Sequence, residues 1–189
     1  MKLTNKMLIL VIAIFANSVY AAPDQICLQG VPLSAPNSRY IMNNNGTVKD
    51  IKTGLTWMRC LVGMHWDATE NSCTGEPMVN SWQSALMTVK NINSPLSSHY
   101  LRQFAGIKHW RLPNIKELQS LQETSCYIPA VNRIAFPNSV KDAYSVAGTV
   151  WSATPSMIAD EAYIFGLSDG LIFKQGGNAA TYSSLLVAE

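Results

Sequence analysis

The sequence predicts an α+β fold in which antiparallel sheets pack with two helices. Short β-like segments separated by Asn- and Gly-rich turns follow residue 38. Two segments with helical spacing come next, and the last third of the chain returns to short β-like segments. This order differs from the regular strand–helix alternation that produces a parallel sheet.

The first 21 residues are predicted to form a cleavable secretory signal peptide. Lys2 and Lys6 precede the apolar run Met7–Ala16, and the small residues Val19 and Ala21 occupy the −3 and −1 positions of a cleavage site. The alternative is an uncleaved membrane anchor, but spanning a bilayer takes roughly 20 apolar residues. We therefore expect an exported chain with no membrane span after cleavage.

Cleavage also removes the net positive charge of the chain. The full sequence has 14 Lys and Arg against 12 Asp and Glu, and Lys2 and Lys6 leave with the signal peptide. The exported chain is therefore formally neutral, so it lacks the bulk field that draws proteins to polyanions. The sequence does not support nucleic-acid binding.

An N-terminal arm, residues 22–38, is rich in Pro, Ser and Ala and precedes a single domain over residues 39–189. The four cysteines of the chain are Cys27, Cys60, Cys73 and Cys126. An even number in an exported chain predicts disulfides. We favour Cys60–Cys73, which closes a short loop, and Cys27–Cys126, which attaches the arm. A zinc site is the alternative, but there is no CxxC pair.

The domain is predicted to begin with a three-stranded meander. Its strands are Arg39–Met42, Thr47–Ile51 and Leu55–Met58. The turns between them, Asn43–Gly46 and Thr53–Gly54, contain residues that tolerate positive φ. A long loop over residues 61–80 follows and carries the short disulfide.

The first helix is predicted to begin after Asn80 or Ser81 and to end near Asn91–Asn93. Four apolar residues fall on one helical face: Trp82, Ala85, Leu86 and Val89. After the loop Ser94–Ile107, a second helix begins at Asn114.

The second helix has a capping box, in which Asn114 caps the first turn and Glu117 occupies the third helical position. Ile115, Leu118 and Leu121 are expected to face the core, and the helix is expected to run to about Glu123.

The last third is predicted to form strands at Thr149–Ser152, Ala162–Leu167, Leu171–Lys174 and Ser183–Val187. Ser168–Gly170 lies between the second and third of these strands and is a hairpin signal.

Six motifs, taken in order, resemble those of the C-terminal domain family of the Legionella collagen-like protein. They are Asn45–Val48 with Asp50, Gly54, Trp57 and Arg59–Cys60; Trp82 with Ala85; Trp110–Asn114 with Glu117; Ser125–Tyr127 with Pro129; Phe136–Pro137; and Trp151–Ser152 with Thr154. The resemblance covers about residues 39–175. It implies a C-type-lectin-like layout, similar to that of formylglycine-generating enzymes.

The resemblance implies an extracellular binding domain, since the namesake domain forms trimers and is an adhesin for sulfated glycosaminoglycans. It therefore implies a possible homotrimer. Two departures count against the same ligand here. The turn at Asn43–Asn45 lacks the family's acidic residues, so no calcium site is expected, and Ser183–Glu189 contains no basic residue.

Trp66 and His65 are the first candidate ligand-binding residues. Both lie between Cys60 and Cys73, where an exposed aromatic ring can stack on a sugar; packing within the loop is the alternative. Trp57, Trp82 and Trp151 are instead expected in the core.

A cationic cluster near the two helices is the second candidate site. It comprises Lys90, Arg102, Lys108 and Lys116, with His99 and His109. If these side chains converge, an anionic glycan can bind there; a solvated face is the alternative.

The motif Trp110, Arg111, Pro113, Asn114 and Glu117 is interpreted as structural rather than catalytic, since Arg111 and Glu117 can pair and cap the helix. The histidines are scattered without metal-ligand spacing, and no nucleophile-elbow motif occurs. We predict no catalytic residue, no metal and no cofactor.

The sequence therefore predicts an exported, non-enzymatic binding domain in the periplasm, at the cell surface or secreted. It is a possible surface or pilus-associated adhesin for a glycan or a protein. The alternative is a structural or assembly component of the cell envelope with a protein partner. An enzyme is the third possibility.

Overall fold

The structure is a computed structural model that describes residues 25–140, 146–178 and 181–189. Within these ranges it contains two α-helices and eleven short strands, and every strand pairs with its neighbours in antiparallel fashion. The predicted α+β class is confirmed. The predicted signal peptide lies outside the described residues.

The strands in chain order are β1 (Ile26–Cys27), β2 (Tyr40–Met42), β3 (Thr47–Asp50), β4 (Thr56–Met58), β5 (His65–Asp67), β6 (Ser72–Thr74), β7 (Cys126–Tyr127), β8 (Thr149–Pro155), β9 (Glu161–Gly166), β10 (Ile172–Gly176) and β11 (Val187–Ala188). The helices are α1 (Trp82–Ile92) and α2 (Ile115–Ser120).

The predicted meander is present as β2, β3 and β4, and β11 completes a four-stranded sheet in the order β11-β4-β3-β2. The predicted closing strand Ser183–Val187 is wrong in its bounds. Only Val187 and Ala188 pair with β4. The residues before them bond to other elements, since the Ser183 carbonyl accepts from Trp151 and the Ser184 carbonyl from Val62.

A second sheet has the order β10-β9-β8, and the predicted hairpin between β9 and β10 is present. The Asp169 carboxylate accepts from the Leu171 backbone N–H at 2.9 Å, and Gly170 adopts φ +74°. These contacts are local, so the turn residues specify this hairpin directly.

The β5–β6 hairpin lies inside the segment 61–80, which was predicted to be a loop. Trp66 pairs with Cys73, and Cys73 forms a disulfide with Cys60. Each strand has three residues, too few to show an alternating apolar pattern. The disulfide and the packing of Trp66 hold the hairpin in place.

Both helix starts are as predicted. The Ser81 hydroxyl accepts from the Ser84 N–H, and Asn114 and Glu117 form the complete capping box. Two details differ from the prediction. Leu86, which was expected on the apolar face of α1, is 38% exposed, and Ile92 is buried instead. Helix α2 ends at Ser120 and not near Glu123. Because α1 lies on the surface, only the narrow face around Ala85 is covered.

The core has two clusters of buried side chains. Trp57 and Phe136 lie in the first, and Trp110 and Trp151 in the second. The predicted burial of Trp57 and Trp151 is confirmed. Trp82 is only half-buried and packs against the second cluster, where its Nε1 donates to the Ser152 carbonyl at 2.9 Å.

The two disulfides have the favoured pairing, Cys27–Cys126 and Cys60–Cys73. The first joins β1 to β7, which pair as a two-stranded ribbon. The buried Glu123 carboxylate also holds the arm, because it accepts from the backbone N–H groups of Ser34 and Ala35 at 2.9 and 2.7 Å. In the described part of the chain, no helix combines the length and apolar character needed to cross a bilayer.

Candidate functional site

A pocket of about 320 Å³ lies between the β5–β6 hairpin and the loop that contains Tyr100 and Phe104. Its lining is almost entirely apolar or aromatic: Met58, Cys60, Leu61, Met64, His65, Trp66, Tyr100, Leu101 and Phe104. We call it the aromatic pocket. It brings together the two predicted candidates His65 and Trp66.

Trp66 is half-buried and packs within the fold as well as lining the pocket. Its Nε1 donates to the Asn44 carbonyl at 2.8 Å. The Arg59 guanidinium lies 4.1 Å from the centre of its ring. One face of the indole is therefore covered by a cation–π contact. Packing within the fold, one of the two alternatives for Trp66, is observed, and ligand contact stays a prediction.

Three rings meet at the rim of the pocket, where His99 stacks on Tyr100 and His65 lies tilted against it. The Tyr100 ring lies 4.7 Å from the His65 ring and 4.9 Å from the His99 ring, between centroids. The Tyr100 hydroxyl accepts from the Gly63 N–H at 2.8 Å and donates to the Met64 carbonyl at 3.3 Å. Burial lowers the pKa of His99, which favours its neutral ring.

Gly46 in the β2–β3 turn approaches the other side of the pocket wall. It adopts φ +82°, and a Cβ placed there would lie 2.8 Å from both Phe104 Cζ and Trp66 Cγ. Position 46 therefore requires glycine for two reasons: the positive φ of its backbone and the lack of room for a Cβ.

Arg59 is 1% exposed and links the aromatic pocket to a second, polar pocket. Its guanidinium donates to the carbonyls of Ala135 and Ile134 at 3.1 and 2.6 Å, and to Asn71 Oδ1 at 2.9 Å. Burial lowers the pKa of Arg59, although an arginine remains protonated at neutral pH. In the described ranges, this cation forms no ion pair with a carboxylate.

The predicted cationic residues do not join the aromatic pocket. Lys90, Arg102, Lys108 and Lys116 are exposed, and none of them lines it. Lys90 instead borders a separate depression on the outer side of α1. His99 is the one member of the predicted cluster that reaches the rim, through its stack on Tyr100.

The Arg111–Glu117 pair has a structural role in this geometry. Arg111 donates to both Glu117 oxygens at 2.8 and 2.9 Å, and Glu117 also accepts from the Asn114 backbone at 2.7 Å. Burial opposes ionisation of Glu117, but these hydrogen bonds lower its pKa. The Arg111 backbone pairs with Val187, so the motif ties α2 to the C-terminal strand.

Other residues of this motif also make hydrogen bonds within the fold. Trp110 is 1% exposed, and its backbone exchanges hydrogen bonds with the Asn93 side chain at 2.6 and 3.0 Å. The Pro113 carbonyl accepts from Ala153 at 2.7 Å. Across the described residues, no group of three or more His, Cys, Asp or Glu side chains is placed to hold a metal ion.

Sequence reasoning missed Arg59, Tyr100 and Phe104 as parts of the site. Arg59 stands beside Cys60 in a motif of the resembling family, which was its one available signal. Tyr100 and Phe104 lie in a loop about 26 to 30 residues after the end of the hairpin at Thr74, and only the tertiary fold brings them to it.

These features define a disulfide-containing α+β domain with a preformed aromatic pocket. A family model for the Lcl C-terminal domain matches residues 46–188, most of the chain. The chain belongs to this family, that of the C-terminal domain of the Legionella collagen-like protein. No curated protein matches the chain at a significant level. The family and the two disulfides indicate an exported protein.

Proposed function

We propose that this chain is an exported, non-enzymatic binding domain of the adhesin type, with the aromatic pocket as its ligand site. The observation that carries the proposal is the pocket itself, in which an apolar floor meets a rim of aromatic rings. Concave sites of this kind, mostly apolar with few polar groups, are the usual form of a binding site.

The pocket suits an apolar side chain presented by a protein ligand better than a sugar. Its main polar groups are already used, since the Trp66 Nε1 donates to Asn44 and the Tyr100 hydroxyl bonds to Gly63 and Met64. A sugar stacked on Trp66 would find one face occupied by Arg59. An aromatic or branched side chain needs only the apolar lining.

The non-enzymatic part of the proposal is supported by what the ionisable groups do. Arg111 and Glu117 bond to each other and to the helix start. His99 stacks on Tyr100 at the rim, and the His65 ring lies tilted against it. A catalytic base needs a partner group placed to receive or supply a proton at a reacting atom, and these residues are engaged in structural contacts.

A peptide selection tests the proposal. The exported protein is immobilised and used to select binders from a displayed random-peptide library, and the same protein is applied to a glycan array. We expect selected peptides to share one aromatic or branched apolar residue and to lose binding at least tenfold in Tyr100→Ala, since a pocket anchor contributes about 2 kcal/mol or more.

Phe173→Ala is the matched control, because Phe173 is a half-exposed aromatic outside the pocket, at 52% against 43% for Tyr100. Equal loss of peptide binding in both variants would contradict the assignment of the aromatic pocket as the ligand site. The assignment of a protein ligand would be contradicted if the selected peptides had no common apolar residue, or if binding occurred only on the glycan array.

An envelope-assembly role is the second candidate, and the N-terminal arm favours it. The arm and the β1–β7 ribbon expose Ile26, Leu28, Val31, Leu33 and Tyr127, each at 47–62%. Exposed apolar groups of this size are typical of protein contacts. Light scattering after size exclusion tests the simplest form, a homotrimer: a monomer at all concentrations would contradict it.

A further inference from the structure

We propose that a polar pocket at the tip of the β5–β6 hairpin is a second ligand site, which takes one neutral sugar ring. This pocket has a volume of about 220 Å³ and is lined by residues of segments 70–72 and 133–140, with Pro129. It shares no lining residue with the aromatic pocket. The inference therefore does not depend on the proposed function.

Three polar groups of this pocket have no partner among the described residues. The Asn71 side chain accepts from Arg59 through Oδ1, which leaves its Nδ2 without a bond. The Asn138 Nδ2 donates to Ser72 Oγ and to the Cys73 carbonyl at 2.8 and 3.0 Å, which leaves its Oδ1 without one. The Glu70 carboxylate is the third.

The same bonds fix the positions of the Asn71 and Asn138 side chains. Arg59 donates both to Asn71 Oδ1 and to the Ile134 carbonyl. Its guanidinium therefore joins the hairpin tip to the segment 133–140 across the pocket. The disulfide of Cys73 to Cys60 anchors the hairpin from the other side. A ligand entering this pocket therefore meets groups that are already ordered, and this lowers the entropy lost on binding.

The chemistry of the lining matches a neutral sugar. A hydroxyl both donates and accepts, and the pocket offers one amide donor, one amide acceptor and one carboxylate. Pro129, Pro137 and Ile134 supply apolar surface for the C–H face of a ring.

The charge and size of the pocket support the same ligand class. Among the described residues of the lining, Glu70 and Arg133 carry a charge, one of each sign, so a formal charge on the ligand brings no clear gain. The volume is below the roughly 300–1,000 Å³ of sites for drug-sized ligands, which favours a single ring.

A titration followed by NMR tests the site. The exported protein, labelled with ¹⁵N, is titrated with the methyl glycosides of glucose, galactose and mannose, and separately with glucuronate and glucosamine. We expect at least one neutral glycoside to shift the Asn71 and Asn138 side-chain amide signals in a saturable manner. Glu70→Gln should weaken this binding about fivefold, since a charged acceptor becomes neutral.

Ile134→Trp should remove binding by filling the pocket, and Ile41→Trp is the matched control at a half-exposed isoleucine on β2. Thermal unfolding of each variant shows that it is folded. Silence of both amide signals for every neutral glycoside, or stronger shifts with a charged sugar, would overturn the proposal. Tyr100→Ala should leave these shifts unchanged, so failure here and failure of the aromatic pocket are distinguishable.

Discussion

Arg59 is a buried cation that is neutralised by acceptors and a ring instead of a carboxylate. Two backbone carbonyls and Asn71 take its donors, and the Trp66 indole lies against its face. A planar guanidinium supplies several donors in fixed directions and also stacks, which a lysine ammonium does not. One side chain thus positions groups of both pockets.

We expect Arg59→Ala to destabilise the fold by about 2–4 kcal/mol, because it leaves buried carbonyls without donors and opens a cavity beside Trp66. Urea unfolding measures the change. Arg102→Ala, at an exposed arginine, should change stability by less than about 0.5 kcal/mol. Equal effects of the two substitutions would contradict a structural role for Arg59.

Two buried carboxylates stabilise the fold in their ionised form. Burial opposes ionisation of Asp50, but hydrogen bonds from Arg39, Thr53 and the Lys52 backbone outweigh it and lower its pKa. Glu123 is similar: burial opposes ionisation, and backbone hydrogen bonds from the arm lower its pKa below the ordinary value. Each group therefore releases its proton more readily in the folded chain than in the unfolded one.

Because the folded pKa values are depressed, this contribution is complete above the ordinary carboxyl pKa of about 4 and is lost as the pH falls through the folded values. We expect the free energy of unfolding, measured by urea from about pH 7 to about pH 2, to fall on acidification. Glu123→Gln should make the fall shallower, and Glu70→Gln, at an exposed carboxylate, should not. An unchanged slope in Glu123→Gln would rule out this linkage.

At the scale of elements, the β2–β3 and β3–β4 turns provide a matched pair of glycines. Gly46 and Gly54 adopt φ +82° and +77°, but a Cβ at Gly54 would have no atom within 4 Å, whereas one at Gly46 would collide with Trp66 and Phe104. The two positions therefore separate backbone strain from contact with the aromatic pocket.

Gly54→Ala should cost about 1–2 kcal/mol, the strain of an L-residue in the left-handed region. Gly46→Ala should cost about 1–3 kcal/mol more, since Trp66 and Phe104 must shift. Chemical denaturation of both variants gives the difference, and peptide binding should fall only in Gly46→Ala. Similar costs for the two substitutions would show that the contact at Gly46 is soft.

The elements that the sequence predicts are those specified by local chemistry. The meander has Asn- and Gly-containing turns, and α2 has a capping box, so each needs only neighbours within a few residues. The β5–β6 hairpin and the β1–β7 ribbon depend on disulfides and on partners far along the chain. Strands this short do not show an alternating apolar pattern in the sequence.

The sequence predicts only some of the residues that line the aromatic pocket. His65 and Trp66 stand out because they lie between two cysteines, whereas Tyr100 and Phe104 occur in a loop without any periodic signal. The predicted cluster of lysines and arginines rested on proximity in sequence, and side chains on two helices and on the segment that connects them need not meet.

At the scale of the whole molecule, the neutral charge of residues 22–189 bears on the ligand class of the family. This part of the chain has 12 basic and 12 acidic residues once Lys2 and Lys6 are left out. Strong binding to a sulfated polymer depends on released counterions and on a positive field. Neither is expected from a neutral domain in which Lys90, Arg102, Lys108 and Lys116 lie outside both pockets.

We therefore expect the exported protein to pass through a heparin column without retention at the physiological ionic strength of about 0.15 M. Elution from the column as a function of salt is the measurement. Lys108→Ala should not change it. Retention that needs several tenths molar salt to reverse would show that the exposed cations act together after all.

The burial of residues 185–188, which include β11, has a consequence for biosynthesis. Leu185, Leu186 and Val187 are at most 1% exposed, and Val187 pairs both with Trp57 of β4 and with Arg111. A polypeptide that crosses a membrane with its N-terminus first delivers these residues late, so its two core clusters stay incomplete until then.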